Sequence, residues 1–207
     1  MDLFEKCQEF IRADQVKELG LYPYFRPVEQ NEGPVVYMEG REVVMAGSNN
    51  YLGLTAHPKV KEAAIEAIHR YGTGCSGSRY LTGTIDLHIK LEERLAAFLG
   101  YESVLLFSTG YQTALGVIAG LVGKGEYVIS DKENHACIIG GAMLAQGGFA
   151  EFARYKHNDI QDLEKVLSRL PESTPKLVVT DGVFSVSGEW VRLPELIEVA
   201  HRYNARV

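Results

Sequence analysis

Residues 127–146 read Tyr127-Val128-Ile129-Ser130, then Asp131-Lys132-Glu133-Asn134-His135, then a run of small and apolar residues that lasts to Gln146. A short apolar strand, a polar turn and a stretch long enough for a helix follow one another in that order. The same pattern recurs on both sides. Upstream, Ser103 to Phe107 reads as a strand and leads through Ser108-Thr109-Gly110 into a helix from about Tyr111 to Val122. Downstream comes a weaker strand, Phe149 to Arg154, and a helix opened by Asn158 with Leu163, Val166, Leu167 and Leu170 inward. Lys176 to Thr180 then forms a strand rich in β-branched residues. Strands alternating with amphipathic helices predict βαβ units and a mostly parallel sheet. A last helix runs from Pro194 to about Tyr203, and Asn204-Ala205-Arg206-Val207 opens another strand. Parallel strands are covered on both faces, so a chain ending as one begins implies a truncated domain.

The residues before about Gly40 differ in character. They divide the sequence into an arm with a short hairpin, residues 1–45, and an incomplete α/β domain, residues 46–207. Met1 to Leu19 reads as one helix with Leu3, Phe4, Cys7, Phe10 and Ile11 on a face, stopped by Gly20. Val35–Met38 and Arg41–Met45 flank Glu39-Gly40 as a hairpin. Pro58 starts a helix that Gly72 ends, and a further helix after Thr84 carries Leu87, Leu91, Leu95 and Phe98 in one stripe up to Gly100.

Composition removes several classes of function. The chain has 207 residues, 46% apolar and 23% charged, enough for one large globular domain. Its formal charge of -6 offers no general attraction for nucleic acid or anionic lipid. Apolar runs such as Val104–Phe107 are too short to cross a bilayer, and the acidic start lacks a signal-peptide layout, so a cytoplasmic location is expected. Cys7, Cys75 and Cys137 lack CxxC spacing and read as buried or idle thiols. The histidines lack the Asp, Glu or Cys companions of a metal site, so no metal is expected. His57, His69, His88, His157 and His201 are accordingly assigned no chemistry.

Gly72-Thr73-Gly74-Cys75-Ser76-Gly77 matches the dinucleotide fingerprint GxGxxG, but a helix precedes it where that motif needs a strand. Its Gly, Ser and Thr content beside Arg79 suits either a flexible loop or close backbone approach to an anion. Ser108-Thr109-Gly110-Tyr111 lies at a strand-to-helix turn, where free N–H groups and the helix dipole can hold phosphate. An ordinary glycine-containing cap fits it too. His135 and the Asp181-Gly182-Val183-Phe184-Ser185 segment both follow strands, at the sheet edge where open α/β folds bind ligands. Three strand ends thus bring polar groups to one rim, which points to a shared site.

Taken together, Asn49–Leu54, Gly72–Thr84, Phe107–Tyr111, Asp131–Ala136 and Asp181–Gly188 resemble the α-oxoamine synthases, pyridoxal-phosphate (PLP) condensing enzymes of the fold-type I aminotransferase class. Leu21–Arg26 and Gly74–Arg79 are most similar to the bacterial serine palmitoyltransferase group. Glycine C-acetyltransferase and 8-amino-7-oxononanoate synthase are the neighbouring alternatives. The resemblance implies a PLP-transferase large domain, truncated and preceded by a helical arm. Gly110 and Tyr111 would cradle the cofactor phosphate and His135 would stack on its ring. Ser185 would lie near the phenolic oxygen, Asp181 would support the site from below, and Asn50 would line the substrate pocket. The loop Gly74–Arg79 would lie near a homodimer interface.

The activity implied is condensation of an amino acid, L-serine favoured, with an acyl-CoA, with loss of CO2 and CoA to give an α-amino ketone. A non-catalytic partner subunit is the alternative of another class. Two departures stand out. Ser187 replaces an acid common in the family, and the family's ring-pairing acid and Schiff-base lysine would both fall after Val207. None of Lys124, Lys132, Lys156, Lys165 or Lys176 sits in a comparable motif, so the 207 residues alone are expected to be inactive.

Overall fold

The computed structural model describes residues 2–31 and 33–207, and the chain divides into two compact units, Met1–Asp86 and Leu87–Val207. In the first unit the expected single N-terminal helix is two, α1 (Leu3–Gln8) and α2 (Arg12–Glu18). Met1 lies outside the described residues. The break follows from local competition. Asp2 and Glu5 form a capping box at the start of α1, and after Glu9 the backbone bonds shorten to Phe10 N–Cys7 O and Ile11 N–Glu9 O. Neither helix buries a residue, so no covering face holds the two in line. A three-stranded antiparallel sheet follows, β1 (Gln30–Asn31), β2 (Val35–Met38) and β3 (Arg41–Val44), of which β1 was not foreseen. Glu39 and Gly40 turn between β2 and β3 with φ of 52° and 74°, the left-handed pair that a two-residue hairpin requires. Helix α3 (Pro58–Tyr71) starts at Pro58 with His57 as its cap and stops at Gly72, as its sequence requires.

Helix α4 (Asp86–Leu99) ends before Gly100, but its leucine stripe is not a core face. Leu87, Leu91 and Phe98 are exposed and only Ala96 is buried. Residues 103–107 also depart from expectation. They make no ladder, and the Leu106 N–H donates to Glu92 Oε1 at 2.9 Å. An apolar run becomes a strand only where it lies beside a strand edge, and none of the strands described pairs with these residues.

From α5 (Gly110–Leu121) onward the βαβ reading holds through β4 (Tyr127–Asp131), α6 (Ala136–Gly147), β5 (Glu151–Tyr155), α7 (Ile160–Leu167), β6 (Lys176–Val179), α8 (Leu193–Arg202) and β7 (Ala205–Arg206). Asp159, not Asn158, caps α7. The strands are parallel in the order β5-β4-β6-β7. Alternation along β4 sends Val128 to one face, with Ile118, Ile138 and Ala142 of α5 and α6. It sends Ile129 to the other, with Leu163, Leu167, Leu196 and Val199 of α7 and α8. Helices on both faces bury β4 almost completely and fix the direction of its polar carboxyl end. Helices α5 and α6 approach closely because Gly141 has no side chain, and a Cβ there would lie 2.8 Å from the Ala114 carbonyl oxygen.

Candidate active site

Beyond Ile129 the central strand turns polar with Ser130 and Asp131, both fully buried, so their polar groups must find partners inside the fold. The chain then bends through Asn134 to His135, the N-cap of α6, whose Nδ1 accepts from the Cys137 N–H at 3.2 Å. The His135 N–H donates to Asp181 Oδ2 at 2.7 Å, and the Asp181 N–H donates to Asn134 Oδ1 at 2.9 Å. Asn134 Nδ2 in turn donates to Ser130 Oγ at 2.8 Å and to the Val179 carbonyl at 2.7 Å. This loop of hydrogen bonds ties the carboxyl ends of β4 and β6, so His135 and Asp181 are one assembly.

The start of α5 supplies the second part of the site. Thr109 caps the helix through Oγ1, which accepts from the Gln112 N–H at 3.1 Å. Among the described residues the Gly110 and Tyr111 N–H groups have no acceptor, and a Cβ on Gly110 would meet nothing within 4 Å. Two open amides at the positive end of a 12-residue helix suit an anionic group. Tyr111 reaches α6, since a Cβ on Gly140 would lie 3.2 Å from its hydroxyl. Gly140 is little more than one turn from His135, so the α5 amides and the imidazole belong to one region.

Ser185 sits on the loop that follows Asp181. The loop folds back on itself through Phe184 N–Glu189 O (2.9 Å), Gly188 N–Phe184 O (2.8 Å) and Val191 N–Gly182 O (3.2 Å), leaving Ser185 exposed and Phe184 buried. Asn50 belongs to the other compact unit. There its amide closes a turn, Nδ2 donating to Thr55 Oγ1 at 2.8 Å and Oδ1 accepting from the Thr55 N–H at 3.3 Å.

One group escaped the sequence reading. His157, assigned no chemistry above, lies at the carboxyl end of β5 with its ring between carboxylates, Nδ1 3.0 Å from Asp131 Oδ1 and Nε2 3.1 Å from Glu189 Oε2. Burial works against its charge, but hydrogen bonding and attraction to Asp131, with Glu133 and Glu189 adding, outweigh burial and raise its pKa above 6.5. Burial first, and then the Asp131 charge, push the neighbouring Tyr155 phenol up. The strand-end rule that singled out His135 applies equally to His157 and was the available signal. Of the cysteines read as buried or idle thiols, Cys7 and Cys75 are exposed and not buried, and Cys137 is half-buried with Sγ 2.9 Å from His135 Nδ1. Lys176, set aside above as a Schiff-base lysine, is buried at the start of β6, its Nζ donating to the Glu172 and Thr174 carbonyls at 3.1 and 2.8 Å. Those bonds tie the amine to the loop that precedes β6.

Among the described residues no group of three His, Cys, Asp or Glu side chains is arranged to hold a metal ion, and no helix is long and apolar enough to cross a membrane. The family model for aminotransferase class I and II matches residues 41–207. The chain belongs to this family. A serine palmitoyltransferase of Sphingobacterium spiritivorum is 46% identical over 203 residues, which cover 98% of this chain and 50% of the relative. The 8-amino-7-oxononanoate synthase of Geobacter sulfurreducens is 48% identical over 191 residues, covering 92% of this chain and 48% of the relative. Both relatives are α-oxoamine synthases. The solved serine palmitoyltransferase from S. paucimobilis, described with a bound PLP–myriocin aldimine, superposes with a TM-score of 0.93 at 38% identity, covering 99% of this chain and 52% of that one. The fold is therefore that of the PLP-dependent transferases, and PLP is the cofactor of these relatives. The chain spans about half the length of the relatives it matches.

Proposed function

We propose that these residues form part of a PLP-dependent acyltransferase that condenses L-serine with a long-chain acyl-CoA, releasing CO2 and CoA, in the manner of serine palmitoyltransferase. The observation that carries this reading is the bond from His135 N–H to Asp181 Oδ2 at 2.7 Å, which sets an imidazole at the sheet edge in the same region as the open α5 amides. Those features fit a phosphorylated aromatic cofactor. The Gly110 and Tyr111 amides would hold its phosphate, His135 would face its ring and Ser185 would offer a hydroxyl to its phenolic oxygen. When bound, PLP supplies an electron sink for a carbanion at the amino-acid α-carbon.

The chain's own residues orient and exclude. Asp181, by accepting the His135 N–H, fixes where the imidazole starts from the backbone, and Asn134 fixes Asp181. Asn50 would contribute to amino-acid recognition. The matching relatives include serine palmitoyltransferases, which favours serine over glycine or alanine. A cytoplasmic homodimer is the assembly this reading expects. CoA release tests it in a chain extended to the relatives' length and supplied with serine, glycine or alanine together with short or long acyl-CoA. Serine with a long chain should give the highest kcat/KM. Preference for alanine or for glycine with acetyl-CoA would replace this reading with one of the neighbouring activities.

A further inference from the structure

His157 is used by none of the roles above, yet its ring is held on both nitrogens by side chains from three segments of the second unit. Its side chain is 18% exposed and that of Asp131 is 1% exposed. Asp131 comes from the end of β4, and its carboxylate also accepts from the Glu133 N–H at 2.8 Å and the Asn158 N–H at 2.7 Å. Glu133 of the β4–α6 turn lies 3.6 Å from His157 Nε2, and Glu189 of the Ser185 loop lies 3.1 Å from it. The ring also stands edge-on to Phe184, with centroids 4.4 Å apart at 86°. The next residue continues the attachment. Asn158 Nδ2 donates to the Trp190 carbonyl at 3.0 Å and Oδ1 accepts from the Arg192 N–H at 3.1 Å.

We propose that His157 is a positioning residue, clamped between Asp131 and Glu189, that latches the 182–191 loop to the sheet edge and thereby sets where Ser185 stands. A ring bonded through both nitrogens to two carboxylates is satisfied only as imidazolium, because the neutral ring has one donor. Protonated, it joins the buried Asp131 to the loop's Glu189 and presents an edge to Phe184. Neutral, it must give up one carboxylate. The inner one, Asp131, is buried, so the bond to the more exposed Glu189 is the one released, and the loop loses a charged anchor. The titrating groups around it are Asp131 from β4, Glu133 from the turn, Glu189 from the loop and Tyr155 from β5. The latch rests on this geometry alone. Its meaning for Ser185 rests on the cofactor reading above.

Amide hydrogen exchange tests the latch in the 207-residue chain without cofactor. The N–H groups of Phe184, Gly188 and Val191 close the loop, so their protection relative to intrinsic exchange reports whether it is held. Protection should fall about tenfold between about pH 5.5 and 8.5, the size expected when a charge-assisted bond is lost. His157→Gln should show low protection at both pH values, and Glu189→Gln should lower the midpoint. Glu189 is exposed, so the second variant stays informative if the first folds poorly. Equal protection at both pH values in the unmodified chain, or an unaltered pH response in His157→Gln, overturns the proposal. Absorbance titration with PLP separates the two claims. A pH-dependent loop in the 207-residue chain, together with no PLP uptake in a chain extended to the relatives' length, supports the latch and removes the cofactor reading.

Discussion

In Met1–Asp86 the helices α2 and α3 bury none of their residues, whereas in Leu87–Val207 the eight-residue α7 buries Leu163 and Leu167 completely. Both regions carry apolar residues at helical spacing. Among the described residues of the first unit Val36 is the only hydrophobic in the core, while the second places two apolar clusters on opposite faces of one sheet. Periodicity states which face of a helix can be covered, and an opposing surface decides whether it is. The difference teaches that the second unit carries the folding energy the sequence displays, and that the polar rim with His135 and Asp181 is built on it.

That comparison can be broken or sharpened by substitutions read through Trp190, the single tryptophan, which lies in the second unit. The largest effect is expected for Leu163→Ala. Removing a side chain with 0% exposure should cost about 2–5 kcal/mol in denaturant unfolding followed by Trp190 emission. Gly141→Ala comes next. Its new Cβ would lie 2.8 Å from the Ala114 carbonyl oxygen and 3.0 Å from Ile118 Cδ1. Forcing α5 and α6 apart should lower the same midpoint by an amount equivalent to about 1–3 kcal/mol. Phe10→Ala, at a ring 65% exposed, should move it by less than about 0.5 kcal/mol. A Phe10 cost matching that of Leu163 would mean that the two regions are equally built, and the contrast would have to be abandoned.

A pH series refines the picture within the second unit. Because the His157 pKa is raised on folding, its stabilising contribution is fully present below about 6.5 and is lost as pH rises through the folded value. The Trp190-detected midpoint should therefore fall above about pH 6.5 by more in the unmodified chain than in Glu189→Gln. An equal fall in the two proteins would assign the pH dependence to groups other than this pair.

The alternation from Tyr127 to Arg206 was legible because β4 and β6 are short, mostly apolar and followed by polar turns, and a parallel sheet covered on both faces leaves that trace. His135 and Asp181 were legible as strand-end residues; the hydrogen bond between them was not, because it joins positions 46 residues apart through a neighbouring strand. His157 was overlooked because its carboxylate partners come from β4, the β4–α6 turn and the loop after β6, and only the folded sheet assembles them. Residues 103–107 have the composition of a strand without its partner, which a single sequence cannot reveal. Lys176 was read as the start of a strand and set aside as a Schiff-base lysine; nothing local shows that two carbonyls of the preceding loop will wrap its amine.

The sequence distance spanned by the Asn134–Asp181–His135 bonds also governs how the site is acquired. Their partners lie 45 to 47 residues apart, with α6, β5 and α7 between them. Closing so long a stretch of chain costs entropy before any of these bonds is gained. The rim is therefore expected to assemble only after both crossovers have docked, on the native side of the main folding barrier. Loosening it by Asn134→Ala should leave the rate of refolding nearly unchanged and appear as faster unfolding. Within the second unit, the sheet edge that carries His135 and Asp181 is then expected among the last contacts to form.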